Sequence, residues 1–317
     1  MGREAILCLD VGGSVTAAGL VTPEGETLAH AQAPTHGASR GGALETIFEL
    51  ADGLVAMAKG QGITLLGIGA GVPGVVDAAR GIVGEDIKNV PELAGCALAD
   101  RLAARYGLRA RVDNDVNLLA LGQWLFGAGR GTRSLVLLAL GTGVGGGIIL
   151  DGRLVRGEGG YGGEIGCVPI NFDAPKTSAF GRGWLDSYVS GREIAERARR
   201  ELPDLGPDVG APAVFQAARV GHAGARVLVE EICQALAAGL AVIVNALNPE
   251  VVLVTGGVAE SLIPLESRIL GWVAEYAFKR ALVTTRISFL PLDKRAAVLG
   301  GAALYLYETE RARGDGG

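Results

Sequence analysis

The 317-residue chain predicts an α/β protein built by duplication, and three observations carry that expectation. One supersecondary pattern occurs twice, over 5–32 and over 134–157: apolar strand, glycine-rich loop with a hydroxyl residue, strand, tight turn, strand. Elsewhere, apolar runs of strand length alternate with segments of helical periodicity. Glycine reaches 51 residues, roughly double its usual share, so the backbone must make many tight passages.

Composition narrows the function classes. With 49% hydrophobic and 20% charged residues the chain is a folded protein, long enough for two domains. A net charge of −5 argues against a nucleic-acid or anionic-membrane partner. The four cysteines, Cys8, Cys96, Cys167 and Cys233, are scattered without a C-x-x-C pair, which fits reduced thiols in the cytoplasm. A strand is expected almost at once, from Ala5, so no leader peptide is expected. The longest apolar run, 232–247, holds Gln234 and Asn245; it is read as too short to span a membrane and as a buried helix.

In chain order, residues 5–9 read as a buried strand ending at Asp10-Val11-Gly12-Gly13-Ser14. Residues 17–21 resume it, Pro23-Glu24-Gly25 turns, and 27–32 returns. Glycines let backbone N–H groups approach an anion, so this loop could cradle a phosphate. A carboxylate beside it, Asp10, suits magnesium held directly or through water; the plain alternative is an ordinary strand-ending Asp. Apolar positions from Leu44 to Ala58 recur at helical spacing, predicting a helix over 43–59. A strand over 65–70 leads into Gly71-Val72-Pro73-Gly74, either a backbone approach to a ligand or merely a turn. Asn89-Val90-Pro91 and a helix over 92–106 follow.

A short strand over 109–112 runs into Asp113-Asn114-Asp115-Val116-Asn117 and then a helix. One N-cap explains one of these polar residues and leaves the others spare. A spare Asp is a natural general base for a hydroxyl nucleophile, the role assigned to Asp115. The run 134–140 is the second buried strand, ending in Gly141-Thr142-Gly143-Val144-Gly145-Gly146-Gly147, and 148–150 resumes the strand. Asp151-Gly152 is a two-residue hairpin signal. Without a ligand this stretch would be a bulged glycine-rich hairpin.

Residues 171–182 read as an irregular loop, and Trp184 opens a helix with Asp186 in its first turn. The charges over 192–201 form a solvated helix face, and 204–212 is a surface connection. A long helix over 223–247, a strand over 251–255 ending at Gly256-Gly257, a strand over 287–292 and a helix over 296–313 complete the chain. The Gly256-Gly257 joint could receive the adenosine part of a nucleotide or be a close packing turn.

Six motifs, in order and spacing, resemble the ROK family: Asp10 to Ser14, Gly71 to Gly74, Asn114-Asp115 with Asn117, Gly141 to Gly147, Gly163-Glu164-Ile165-Gly166, and Gly256-Gly257. That family holds bacterial glucokinases, other hexose and N-acetylhexosamine kinases, and sugar-responsive repressors. The resemblance implies the actin-like, ribonuclease H-like duplicated fold of sugar kinases. It implies a small domain over 1–116 plus about 298–317, a large domain over 117–297, and a cleft between them for sugar and ATP. By the same resemblance Asp115 is the base that takes the sugar hydroxyl proton, with Gly74, Asn89, Asn114, Glu164 and Asp186 as sugar contacts. Asp10, Gly12, Gly13, Ser14, Gly141, Thr142 and Gly143 are the ATP–magnesium phosphate sites, and Gly256 and Gly257 the adenosine site. A homodimer is implied too.

One departure stands out. Family members follow Glu-Ile-Gly with a His and then a cysteine cluster that binds zinc. Here Cys167 replaces the His, and the cluster positions fall near Thr177, Ala179 and Trp184. One cysteine cannot make a four-ligand site, so no zinc is expected, and Phe180 and Trp184 are expected to pack the loop instead. The family's sugar-binding Glu becomes Asp186, one methylene shorter.

The leading expectation is a kinase acting at the 6-hydroxyl of glucose, with another hexose or an N-acetylhexosamine as alternative substrate. A sugar-responsive regulator is the alternative from another class. Such regulators usually carry an N-terminal helix-turn-helix, for which a first strand at Ala5 leaves no room. A dinucleotide-binding enzyme fits less well, because the glycine loops lead into strands rather than helices.

Overall fold

The computed structural model describes residues 2–36, 42–174, 181–293 and 295–314. They group into two compact units, Met1–Gly131 with Leu154–Gly162 and Asp293–Gly317, and Thr132–Arg153 with Gly163–Leu292.

In the first unit, β1 (Glu4–Val11), β2 (Val15–Val21) and β3 (Thr27–Pro34) precede α1 (Ala43–Gly60) and β4 (Thr64–Val72). The short hairpin β5 (Val76–Asp77) and β6 (Ile82–Val83) comes next, then α2 (Leu98–Tyr106), β7 (Ala110–Asn114) and α3 (Asp115–Leu125). The sheet order is β3-β2-β1-β4-β7, antiparallel across the first three strands and parallel from β1 to β7. Both faces are covered, which is why β1 reads as an unbroken apolar run. Leu7 and Leu9 pack with Ile47 and Leu54 of α1 and Leu98 of α2, while Ile6 and Cys8 pack with Val298 and Ala302 of the C-terminal helix, Ala296–Gly314. Gly69 of β4 lies so close to the Gly301 backbone that a Cβ there has no room.

The second unit begins with β8 (Leu135–Leu140), β9 (Val144–Leu150) and β10 (Arg153–Leu154). The helices α4 (Asp186–Val189), α5 (Gly191–Glu201), α6 (Ala211–Arg219) and α7 (Ala223–Leu247) follow. Then come β11 (Val251–Thr255), α8 (Gly257–Leu262), α9 (Glu266–Tyr276) and β12 (Arg286–Phe289). Its sheet order, β10-β9-β8-β11-β12, repeats that of the first, with β8 antiparallel to β9 and parallel to β11. Two sheets of one topology in one chain are the duplicated, actin-like ATPase fold.

Several elements differ from expectation. The helix expected over 92–106 is a single turn, Pro91–Leu93, and then α2, because Gly95 at φ +65° takes the chain out of helical conformation between them. The second glycine loop is shorter than it reads: Val144 to Gly147 belong to β9 and pair with β8. Gly146 pairs with Leu138 of β8 and has no side chain because the Gly163 carbonyl occupies the place of a Cβ. The Asp151-Gly152 turn forms with both residues at positive φ, 50° and 73°. The connection expected over 204–212 already contains the start of α6, with Pro212 in its first turn. Helix α7 has 25 residues, long and apolar enough to cross a membrane by length and composition, and 67% of its most apolar stretch is buried inside the protein. Helix α3 packs on the C-terminal helix, with Gly122 against Gly300.

Candidate active site

In the first unit, β1 and β4 run parallel with Asp10 opposite Gly71, and β7 delivers Asp115 to the start of α3 beside them. A Cβ on Gly71 would lie 3.3 Å from the Asp115 Cα and 3.5 Å from an Asp10 carboxylate oxygen. Glycine at 71 is therefore what lets the two aspartates approach. Burial pushes the Asp115 carboxyl up to about 7, and the negative charge of Asp10 adds to the shift. Burial likewise raises Asp10 to about 6.

The polar cluster around Asp115 divides its labour. Asn114 is the N-cap of α3: its Oδ1 accepts from the N–H groups of Val116 at 2.9 Å and Asn117 at 3.2 Å, and its Nδ2 donates to the Gly74 carbonyl at 3.0 Å. Asp113 is buried and structural. It accepts from the Asn114 N–H at 2.7 Å and from Asn117 Nδ2 at 3.0 Å, and it pairs with Arg156, whose guanidinium also reaches Glu308 at 2.8 Å. Asp115 is the member left with neither the capping role nor an ion pair; its Oδ1 accepts from the Val116 N–H at 2.9 Å.

The first glycine loop is braced from below. Thr35 donates from its hydroxyl to the Gly12 carbonyl at 2.6 Å and from its N–H to the Ser14 carbonyl at 2.9 Å, and the buried Thr16 hydroxyl sits 3.0 Å from that of Thr35. Gly12 closes the turn by donating to the Val15 carbonyl. Gly13 lies against Asn89, with room for no Cβ, so two predicted site residues meet there. Ser14 is exposed.

In the second unit the loop is Gly141-Thr142-Gly143, with Thr142 exposed. It is tied to the start of α5 through Gly191 N–H to the Gly141 carbonyl, 2.8 Å, and Arg192 N–H to the Thr142 carbonyl, 3.3 Å. Asp186 braces the same loop: Oδ1 accepts from the Val144 N–H at 2.8 Å, and Oδ2 pairs with Arg192 at 3.1 Å. Both carboxylate oxygens of this expected sugar contact are thus engaged within the unit. Glu164 is exposed and accepts from the Cys167 thiol at 3.8 Å; burial, with Glu164 and Asp186 nearby, pushes that thiol up to about 11. Gly256, at φ +107°, packs against the Leu140 backbone, while Gly257 faces open space at the start of α8.

Among the described residues no three His, Cys, Asp or Glu side chains form a metal group. Thr177, Ala179 and Phe180, on which the zinc and loop-packing expectations bear, lie outside the described residues. Trp184 bridges to Pro169. Sequence reading passed over the bracing groups Thr16, Thr35, Arg156 and Arg192. Nothing local marks them, since each acts on a residue distant in sequence or on backbone.

The model of the ROK family matches residues 6–308. The chain is 30% identical over 315 residues to a glucokinase of Thermotoga maritima, covering 96% of this chain and 98% of the relative. A ROK hexokinase structure from Thermus thermophilus superposes with a TM-score of 0.81 at 28% identity, covering 96% of this chain and 99% of its own. A Streptomyces griseus ROK family glucokinase, solved in complex with glucose and AMPPNP, gives 0.69 at 27% identity over 96% and 99%. Matched over nearly its whole length in sequence and in fold, the chain belongs to the ROK family.

Proposed function

We propose that the protein is an ATP-dependent hexose kinase, with glucose phosphorylated at its 6-hydroxyl and Asp115 as the general base. The observation that carries this reading is Asp115 itself, half-buried, beside Asp10 across Gly71, with its carboxyl raised to about 7. A base is most effective when its pKa lies near the working pH.

Asp115 takes the proton of the sugar hydroxyl as that oxygen bonds to the γ-phosphorus of ATP; the bond to the β–γ bridging oxygen breaks and ADP leaves. Such transfers need mainly positioning and charge neutralisation. In this reading the N–H groups of Gly13, Ser14, Thr142 and Gly143 are the backbone donors to phosphates, those of Gly12 and Gly141 being used to close their own turns, and Gly257 has open space for the nucleoside. The donor set fits magnesium: two neighbouring aspartates of like negative charge are hard oxygen ligands whose repulsion a divalent cation relieves, and Asp10 would hold it. Magnesium, when bound, neutralises phosphate charge. By family resemblance Asn89, Asn114 and Glu164 are the sugar contacts of this reading, while Asp186 supports the loop. A cytoplasmic homodimer belongs to the same reading and rests on family resemblance.

The test is ADP release with magnesium-ATP against glucose, mannose, fructose, N-acetylglucosamine and N-acetylmannosamine. Turnover of one sugar, lost in Asp115→Asn, is the expected result. No turnover with any of them, while sugars still raise thermal stability, would replace the kinase with a sugar sensor.

A further inference from the structure

Outside these loops the first unit holds a cavity of about 710 Å³, lined by the β5–β6 hairpin, Arg111 of β7, Arg156 to Gly160, and Glu308 and Arg311 of the C-terminal helix. Arg111 is its unusual member. It follows Ala110 on an edge strand, and alternation puts it on the same sheet face as Asp113. Its Nε is buried and has no hydrogen-bond partner, and among the described residues the side chain makes no ion pair. A buried donor left unpaired is costly, more so in a charged group, so the unmet Nε of an Arg in a cavity wall points to an absent acceptor.

The other charges of the cavity are accounted for differently. Arg156 is committed to Asp113 and Glu308. Arg80 and Arg311 are exposed at the rim, and their carboxylate partners Asp77 and Glu308 stand off at 3.8 and 3.9 Å. Two loose cations thus accompany the unmet one. Glu85 and Glu158 are exposed carboxylates of the same lining, acceptors for hydroxyl groups rather than for an anion.

We propose that this cavity is a second ligand site, taking a small phosphate-bearing molecule whose anion sits on Arg111 with Arg80 and Arg311, and whose hydroxyls meet Glu85 and Glu158. Inorganic phosphate and a sugar phosphate share the recognised group, and both fit the volume. Arginine's planar fork suits phosphate oxygens. The site is separate from the catalytic reading and does not depend on it.

Titration calorimetry without nucleotide tests it, using inorganic phosphate and glucose 6-phosphate on the full chain. Arg111→Gln is expected to weaken binding at least tenfold, with Arg111→Lys in between. Tighter binding of glucose 6-phosphate than of phosphate, narrowed by Glu158→Gln, identifies the sugar phosphate; equal binding identifies phosphate alone as the ligand group. Should Arg111→Gln not fold, Arg80→Glu at the exposed rim carries the same test, with an expected loss of several-fold. Wild-type affinity in the variant that folds, or no binding to the wild type, overturns the proposal. A protein inactive on every sugar leaves this experiment unaffected.

Discussion

Asp10 adds to the effect of burial in raising the proton affinity of Asp115, and Gly71, on the strand between them, has no side chain to hold the two carboxylates apart. The pair is costly to the apo protein and useful to the proposed reaction for one reason: two negative charges held close in a partly dry site call for a proton or a cation.

The sign of the pH effect follows. Both carboxyls titrate in the folded state above the about 4 of an unfolded aspartate, so between these values the unfolded chain releases protons that the folded chain keeps. Stability from this pair therefore falls as pH rises from about 4 to about 7. Asp115→Asn should melt higher than the wild type at pH 8, with the gain gone near pH 4. An unchanged difference between the two pH values would contradict the coupling. In activity, kcat/KM should climb through about pH 7 as Asp115 loses its proton.

The glycines at 256 and 257 should part company. Gly256→Ala meets the Leu140 backbone at 2.5 Å from a conformation at φ +107°, so a loss of about 2–4 kcal/mol is expected. Gly257→Ala has nothing within 4 Å and should fold normally. Urea unfolding of both variants decides.

Asp186 offers a kinetic test of its assignment to the loop. Asp186→Ala removes the acceptor of the Val144 N–H and one of the partners of Arg192, and KM for ATP should rise about tenfold while KM for sugar changes little. A rise confined to the sugar KM would return Asp186 to the sugar.

Arg156 anchors Asp113, whose side chain is 3% exposed, and so holds the start of α3 in place. Arg156→Met strands that charge, at a cost of about 3–5 kcal/mol in denaturant unfolding, before any effect on catalysis.

The amino-acid sequence by itself determined the strands, the repeated strand–loop–strand unit, the long helix Ala223–Leu247 and the family. These are written in local patterns: unbroken apolar runs, helical spacing, glycine followed by a hydroxyl. Tertiary structure decided what each polar residue does. From sequence any of Asp113, Asn114 and Asp115 could cap the helix. Folding brings Arg156 from 43 residues away to claim Asp113, gives Asn114 the cap, and leaves Asp115 beside Asp10. The same holds for Gly145 to Gly147, loop-like in composition but strand in fact through pairing with β8, with Gly146 a glycine because the backbone at Gly163 takes the space of a side chain. Hydrophobic pattern is a property of consecutive residues, whereas charge pairing and close backbone contact depend on residues that only the fold brings together.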